Sequence, residues 1–344
     1  MLLERNVVGK KTDWANYITL SDEHETPMLR VLPKGPKPVN IVKHYQADTY
    51  TTPMPNAWPD GKDWDTFTSA GQNRRELTAR CQWFVKTAAV SKLAEDVTDT
   101  AGINDELAHE IPKKMTEMAR EIECSAAGDQ GEYVDDGKTG HKFRSAGVWI
   151  QSTAQTDAGT VVDPTIRPNA AQIVTATALS TPSNLTEDAI KNALQAAWRA
   201  TGAKGMKAGF VGTQLKKQFG VFQFYIPTSL NTQATARIIT RGEDATVLGN
   251  TVDVYDSDWG KIELHLTRWN AQPGFQANGG TDAVMGDWRG YFLNTERWAW
   301  LWNQKPTVYK PEFKGGSYKA AIDAILMFLC WNPIGEMKVA PSDV

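Results

Sequence analysis

Paired cysteines are missing from this chain. Cys81, Cys124 and Cys330 are odd in number and far apart, so they build neither a disulfide framework nor a zinc site with paired spacing. The pattern fits synthesis in a reducing cytosol. A basic excess is missing too: the formal net charge of −3 lacks the footprint of a nucleic-acid binder. A chain of this kind working near DNA would enclose it rather than grip it. The longest apolar run, 324–331, falls far short of the ~20 residues that span a bilayer. The opening stretch MLLERNVVGKKTDW has no continuous apolar core of the signal-peptide kind. A soluble protein without a membrane partner is expected.

Catalytic and ligand-binding signatures are equally scarce. Neither the Walker pattern nor the dinucleotide glycine fingerprint occurs, and the nucleophile elbow is absent. His109-Glu110-Ile111-Pro112-Lys113 begins like a metalloprotease helix but lacks the second histidine four positions on. Asp22-Glu23-His24-Glu25 reads as a solvated turn before Thr26-Pro27. Asp60, Asp63 and Asp65 are spaced loosely like a calcium loop, without its glycine or its closing glutamate. The adjacent carboxylates Asp135-Asp136 and Glu243-Asp244 have no feature that would raise one pKa against the other. Asn184-Leu185-Thr186 matches a glycosylation acceptor, a match that means nothing without a secretory route. No catalytic residue, cofactor or metal is therefore expected, and the chain does not read as an enzyme.

What is plentiful is tryptophan. The 13 residues cluster, as in Trp298-Ala299-Trp300-Leu301-Trp302. Tryptophan serves both cores and interface hot spots, and core packing is the default for any single one. With 344 residues the chain is long enough for one large or two ordinary domains.

Residues 1–38 read as an arm: Trp14, Tyr17 and Ile18 anchor at most a turn of helix, and Pro27, Pro33, Pro36 and Pro38 favour extended chain. From 39 to 80 the chain is mostly polar. Val39, Ile41 and Tyr45 start a strand that 77–80 returns, a two-stranded finger that needs partners elsewhere because an isolated hairpin is marginal in water. The apolar run 83–90 leads to a helix over 104–127. Its stripe is Ile103, Leu107, Ile111, Met115, Met118, Ile122 and Ala126. Pro112 is expected to kink that helix near Ala108 or to start a second one. In the polar stretch 128–185 the apolar island is 143–150.

A second helix is expected over 187–201, capped by Thr186, ended by Gly202 and burying Ile190, Ala193, Leu194, Ala197 and Trp198. Strands follow at 208–212, 252–255, 261–266, 290–293, 298–302 and 321–331, with a short helix at 214–219 and a turn at 256–260. The class is α+β, without repeats or strict βαβ alternation.

Taken in order, several blocks resemble a bacteriophage major capsid protein of the HK97-type fold, more narrowly the SU10-like major capsid proteins. They are DEHETPMLRVL at 22–32, RCQWFVKTAAVS at 80–91, INDELAHEIPKKMTEMAREIE at 103–123, FRSAGVWI at 143–150 and VDVYDSDWGKIELHL at 252–266. The stretch 298–329, with a turn at Lys305-Pro306, completes the set, while 296–302 is more aromatic than the family leads one to expect. The resemblance implies an N-terminal arm at 1–38 and an extended two-stranded loop at 39–82. It places a peripheral domain at 83–185 and 295–344, with its spine helix at about 104–127, and an axial domain at 186–294.

The implied role is a structural subunit that self-assembles, as hexamers and pentamers, into the icosahedral head of a tailed phage. Such a shell encloses double-stranded DNA without reading its sequence. A scaffolding protein, a portal and a decoration protein are the candidate partners, and the host bacterial cytoplasm is the site of synthesis. Inter-subunit candidates are Trp14 and Tyr17 of the arm and Tyr50, Trp58, Trp64, Phe67, Arg74 and Arg75 of the loop. Competing expectations are an encapsulin-type nanocompartment shell, a Trp-rich carbohydrate-binding or hydrolytic monomer, and a tail or decoration protein.

Overall fold

A computed structural model describes residues 25–51, 53–63, 67, 74–97, 105–128, 130–151, 166–176, 185–202, 208–222, 253–271, 286–312 and 315–341. Two sheets organise them. The first is four-stranded and antiparallel, formed by β1 (Val42–Ala47), β2 (Arg75–Ser91), β8 (Trp298–Tyr309) and β9 (Ser317–Cys330) in the order β1-β2-β9-β8. The second is mixed and six-stranded. It contains β3 (Ile173–Ala176), β4 (Ala208–Val211), β5 (Val254–Ser257), β6 (Gly260–Leu266), β7 (Gly290–Leu293) and β10 (Met337–Pro341), in the order β3-β10-β7-β4-β6-β5.

The long helix α3 (Glu106–Ala127) begins where Asp105 accepts a hydrogen bond from the Ala108 amide at 2.7 Å. The expected stripe is the buried one: Leu107, Met118, Ile122 and Ala126 are buried, and Ile111 and Met115 pack against them. Ile103 lies outside the described residues. No second helix starts at Pro112; α3 runs through it as one element. A proline here removes the hydrogen bond to the Ala108 carbonyl and costs about 3 kcal/mol, which the stripe buried on either side of it offsets.

The larger core lies between α3 and the first sheet. Trp300 and Phe328 pack as tilted rings with centroids 4.5 Å apart, Trp298 lies 5.0 Å from the same Phe328, and Phe143 meets Trp300 edge-on at 6.2 Å. Trp298 and Trp300 are thus core, and Trp302 packs half-buried against it. The second core packs α5 (Glu187–Thr201) and α6 (Thr213–Phe222) on the six-stranded sheet through Ile190, Leu194, Leu215, Phe219, Ile262 and Phe292. Both caps of α5 are as expected: Thr186 accepts from the Ala189 amide, and Gly202 closes the helix at φ +67°, a left-handed position that glycine takes without strain. Trp198 departs from expectation, being only half-buried against Trp259 at 5.1 Å.

There are four other departures. Prolines favoured extended chain throughout 1–38, yet α1 (Pro27–Val31) is a short helix. Pro27 occupies its first turn, where a missing N–H costs nothing. The Met28 and Leu29 amides donate to the two carboxylate oxygens of buried Glu123 on α3, at 2.6 and 2.9 Å. Residues 33–35 then run extended, bonding to both backbone groups of Trp300. The far end of the expected arm therefore lies on the body of its own chain.

The turn expected at Lys305-Pro306 is instead a register shift within β8, an edge strand that tolerates proline. α2 (Lys92–Val97) follows β2 directly, without a sequence signal of its own. Finally, β3 and β10 belong to the six-stranded sheet, so boundaries at 186 and 294 cut across it. Both strands are short and acquire their identity from neighbours remote in sequence.

Candidate assembly surface

β1 and β2 pair antiparallel from Val42↔Arg80 to Ala47↔Arg75, forming the two-stranded finger that the sequence suggested. β2 then changes partner. From Cys81 onward it pairs with β9, beginning at Cys81↔Met327. The buried face changes at the same place: Leu77, Ala79 and Cys81 are buried, then Phe84 and Ala88, so Trp83 and Val85 point outward. The root of the finger stays packed on the body: Leu77 and Ala79 belong to the larger core, and Tyr45 donates to the Cys330 carbonyl.

Five of the eight predicted contact residues lie in the described part of the finger; Trp14, Tyr17 and Trp64 lie outside the described residues. Tyr50 is fully exposed and Phe67 is 80% exposed. Trp58, half-exposed, donates to the Lys62 carbonyl at 2.9 Å, and the Lys62 ammonium lies 5.1 Å from its ring. Arg74 faces Asp48 at 3.7 Å, and Arg75 donates to the Arg74 carbonyl at 3.2 Å. These contacts are internal to the finger, so they give it shape without covering its apolar surface.

Exposed apolar residues outside that set include Met54 on the finger, Val39 and Ile41 at its root, and Trp83 and Val85 on the outer face of β2. The signal for the last two was present. The run 83–90 is apolar throughout much of its length, yet a strand turns every second residue to the opposite face.

Chemical alternatives have little geometry behind them. Among the described residues no three metal-ligating side chains converge. Glu110 pairs with Lys113 at 3.0 Å. Asp136 is held down to about 2 by hydrogen bonds from the Thr139 amide, the Tyr133 hydroxyl and the Lys138 amide, which makes it a turn-former. Two carboxyls are pushed up to about 8 by burial. Glu123 caps α1, and Glu336 accepts from the Asn294 amide at 2.9 Å. Both are sealed in the core, away from any substrate. The exposed apolar finger and the outer face of β2 remain the surface that calls for a partner.

A sequence profile of the SU10 major capsid protein matches residues 4–322. The chain belongs to the SU10 major capsid protein family. A search of curated protein sequences finds no match. Solved structures similar to the capsid subunit include the bacteriophage PhiM1 mature capsid, with a TM-score of 0.62 at 9% identity over 100% of this chain and 95% of that one. The Mycobacterium phage Ogopogo structure has a TM-score of 0.61 at 9% identity, covering 99% and 100% of the two chains. The capsid of a native GTA particle has 0.55 at 11% identity, covering 98% and 96%.

At such identities the likeness shows the fold, a mixed α/β fold shared with phage capsids. Family and fold together make this a major capsid protein of tailed phages, a structural protein of the virion that assembles into a multi-subunit shell. Neither the encapsulin reading nor the carbohydrate-binding one draws support from them.

Proposed function

We propose that this capsid protein builds a closed icosahedral head in the HK97 manner, with each subunit's finger lying over a neighbour. The observation that carries the reading is the finger itself. Tyr50, Met54 and Phe67 expose their apolar surfaces beyond the paired strands of the finger, where its own body does not cover them. A ribbon of that kind is marginal alone and gains stability only against another subunit. Heterologous contacts whose rotation closes give a shell, and many weak contacts add up to a stable one.

In this reading the peripheral domain contains α3 and the four-stranded sheet, with residues 27–35 as part of it. The axial domain contains the whole six-stranded sheet, including β3 and β10. Pentamers and hexamers of one chain enclose double-stranded DNA. A subunit of net charge −3 holds that DNA loosely, which favours ejection. Separate scaffolding, portal and decoration proteins complete the head, and synthesis takes place in the bacterial cytoplasm.

Negative-stain electron microscopy with light scattering tests the central claim. Replacing residues 48–74 with an Asn-Gly turn keeps β1 and β2 paired as a tight hairpin. The unaltered protein is expected to give closed particles or capsomer rings, and the variant folded monomers. Intact shells from the variant would overturn the assignment of the finger.

A further inference from the structure

We infer that Glu132 is a positioning residue that fixes the angle of the finger to the body. The argument starts from the partner exchange in β2. Residues 75–80 are paired only with β1, residues 81–91 with β9, and the peptide joining Arg80 to Cys81 is where the two ribbons meet. The root of that ribbon packs on the body through buried Leu77 and Ala79, with Tyr45 donating to the Cys330 carbonyl and meeting Trp331 edge-on at 5.5 Å. Apolar burial has no preferred direction, so a single angle needs polar contacts of fixed geometry.

A buried clamp sits at that joint. The Arg80 Nε lies 3.1 Å from one carboxylate oxygen of Glu132, and an Arg144 terminal nitrogen lies 3.0 Å from the other. Arg144 also donates to the Thr78 carbonyl, on the finger side of the joint, at 3.4 Å, and stacks on Trp149 of α4 (Ala146–Trp149) with its guanidinium 4.4 Å from the ring. The Glu132 side chain is fully buried, Arg144 nearly so, and that of Arg80 only 12% exposed.

The ladder continues along the same face of β2. Gln82 accepts from the Gln130 side chain at 2.8 Å and from the Phe143 amide at 3.2 Å, and Phe84 packs on Phe143 at 6.1 Å. The segment carrying Glu132 and Arg144 is itself stiff, because Tyr133 and Lys142 exchange backbone hydrogen bonds at 3.2 and 3.1 Å. One carboxylate thus ties the last residue of the finger to a rigid hairpin of the body.

A buried ion cluster adds little net stability over an apolar one of equal volume; its better-attested use is to specify one geometry. Here the geometry is the direction in which the finger projects. Its consequence in the shell, a set curvature between neighbours, rests on the proposed overlap of fingers; the angle itself does not.

The test is therefore made on the free subunit. Gln46→Cys on β1 and Lys319→Cys on β9 place spin labels on exposed positions of finger and body, while the three native cysteines are buried. Pulsed electron resonance is expected to give one narrow distance peak with Glu132 intact. Glu132→Gln and Arg80→Met should each lose that single peak while the thermal unfolding of the body persists. Where Glu132→Gln does not fold, Arg80→Met decides alone, since it leaves Glu132 paired with Arg144. An unchanged narrow peak in the folded variants overturns the inference. So does unfolding of both, because the cluster would then be holding the body and not the finger.

Discussion

Aromatic residues meet opposite fates in the two regions joined by β2. In the body, Trp298 and Trp300 are fully buried against Phe328; on the finger, Tyr50 is fully exposed and Phe67 nearly so. Residue type does not explain the difference. Along 81–91 the strand has β9 beside it and α3 above it; along 75–80 it pairs with β1 and still buries Leu77 and Ala79 on the body, whereas Tyr50 and Phe67 lie beyond the paired strands. Burial within one chain follows the supply of covering elements. Where the chain supplies none, its apolar residues stay exposed.

The strongest way to break this contrast is to damage the body. Met118→Asp puts an unpaired charge into the fully buried stripe of α3 and is expected to cost more than about 4 kcal/mol, enough to prevent folding. Soluble protein with an unaltered melt would mean that α3 is not the centre of the core.

A change of pH sharpens the contrast more gently. Glu123 and Glu336, both raised to about 8 by burial, remain protonated in the fold over a range in which the unfolded chain has ionised them. Their contribution is fully present below the ordinary carboxylate range and is lost as pH rises through about 8. Denaturant titrations between about pH 5 and 8 should show stability falling by up to about 1.4 kcal/mol per pH unit for each group. Glu123→Gln should flatten that slope; an unchanged slope would show that Glu123 is ionised in the fold.

Smaller effects follow. Thr186→Ala removes the cap of α5 and is expected to lower stability by about 1 kcal/mol, read from the denaturation midpoint. The double variant Tyr50→Ala and Phe67→Ala is expected to shift unfolding of the free subunit by less than about 0.5 kcal/mol, as for exposed positions generally. Particle yield should nonetheless drop. A large loss of stability in the free subunit would show that the finger packs on its own body.

The sequence by itself determined the features whose cause lies within a few residues. The stripe of α3 repeats every three or four positions, Thr186 and Gly202 sit where α5 must start and stop, and Ile262 and Leu264 alternate with exposed neighbours in β6. It also carried the finger, as two short apolar stretches flanking a polar span too long for a compact domain. Tertiary structure decided the rest, because the deciding partners are remote in the chain. Met28 meets Glu123 across 95 residues, and Tyr45 donates to the Cys330 carbonyl across 285. No local pattern marks Glu123, Glu132 or Glu336 for burial, since each carboxyl is tolerated in the core through the donors, cations or protonation that only the folded environment supplies. The change of partner at Arg80 and Cys81 has the same origin: the length of β9, more than 200 residues downstream, decides where the body ends and the finger begins.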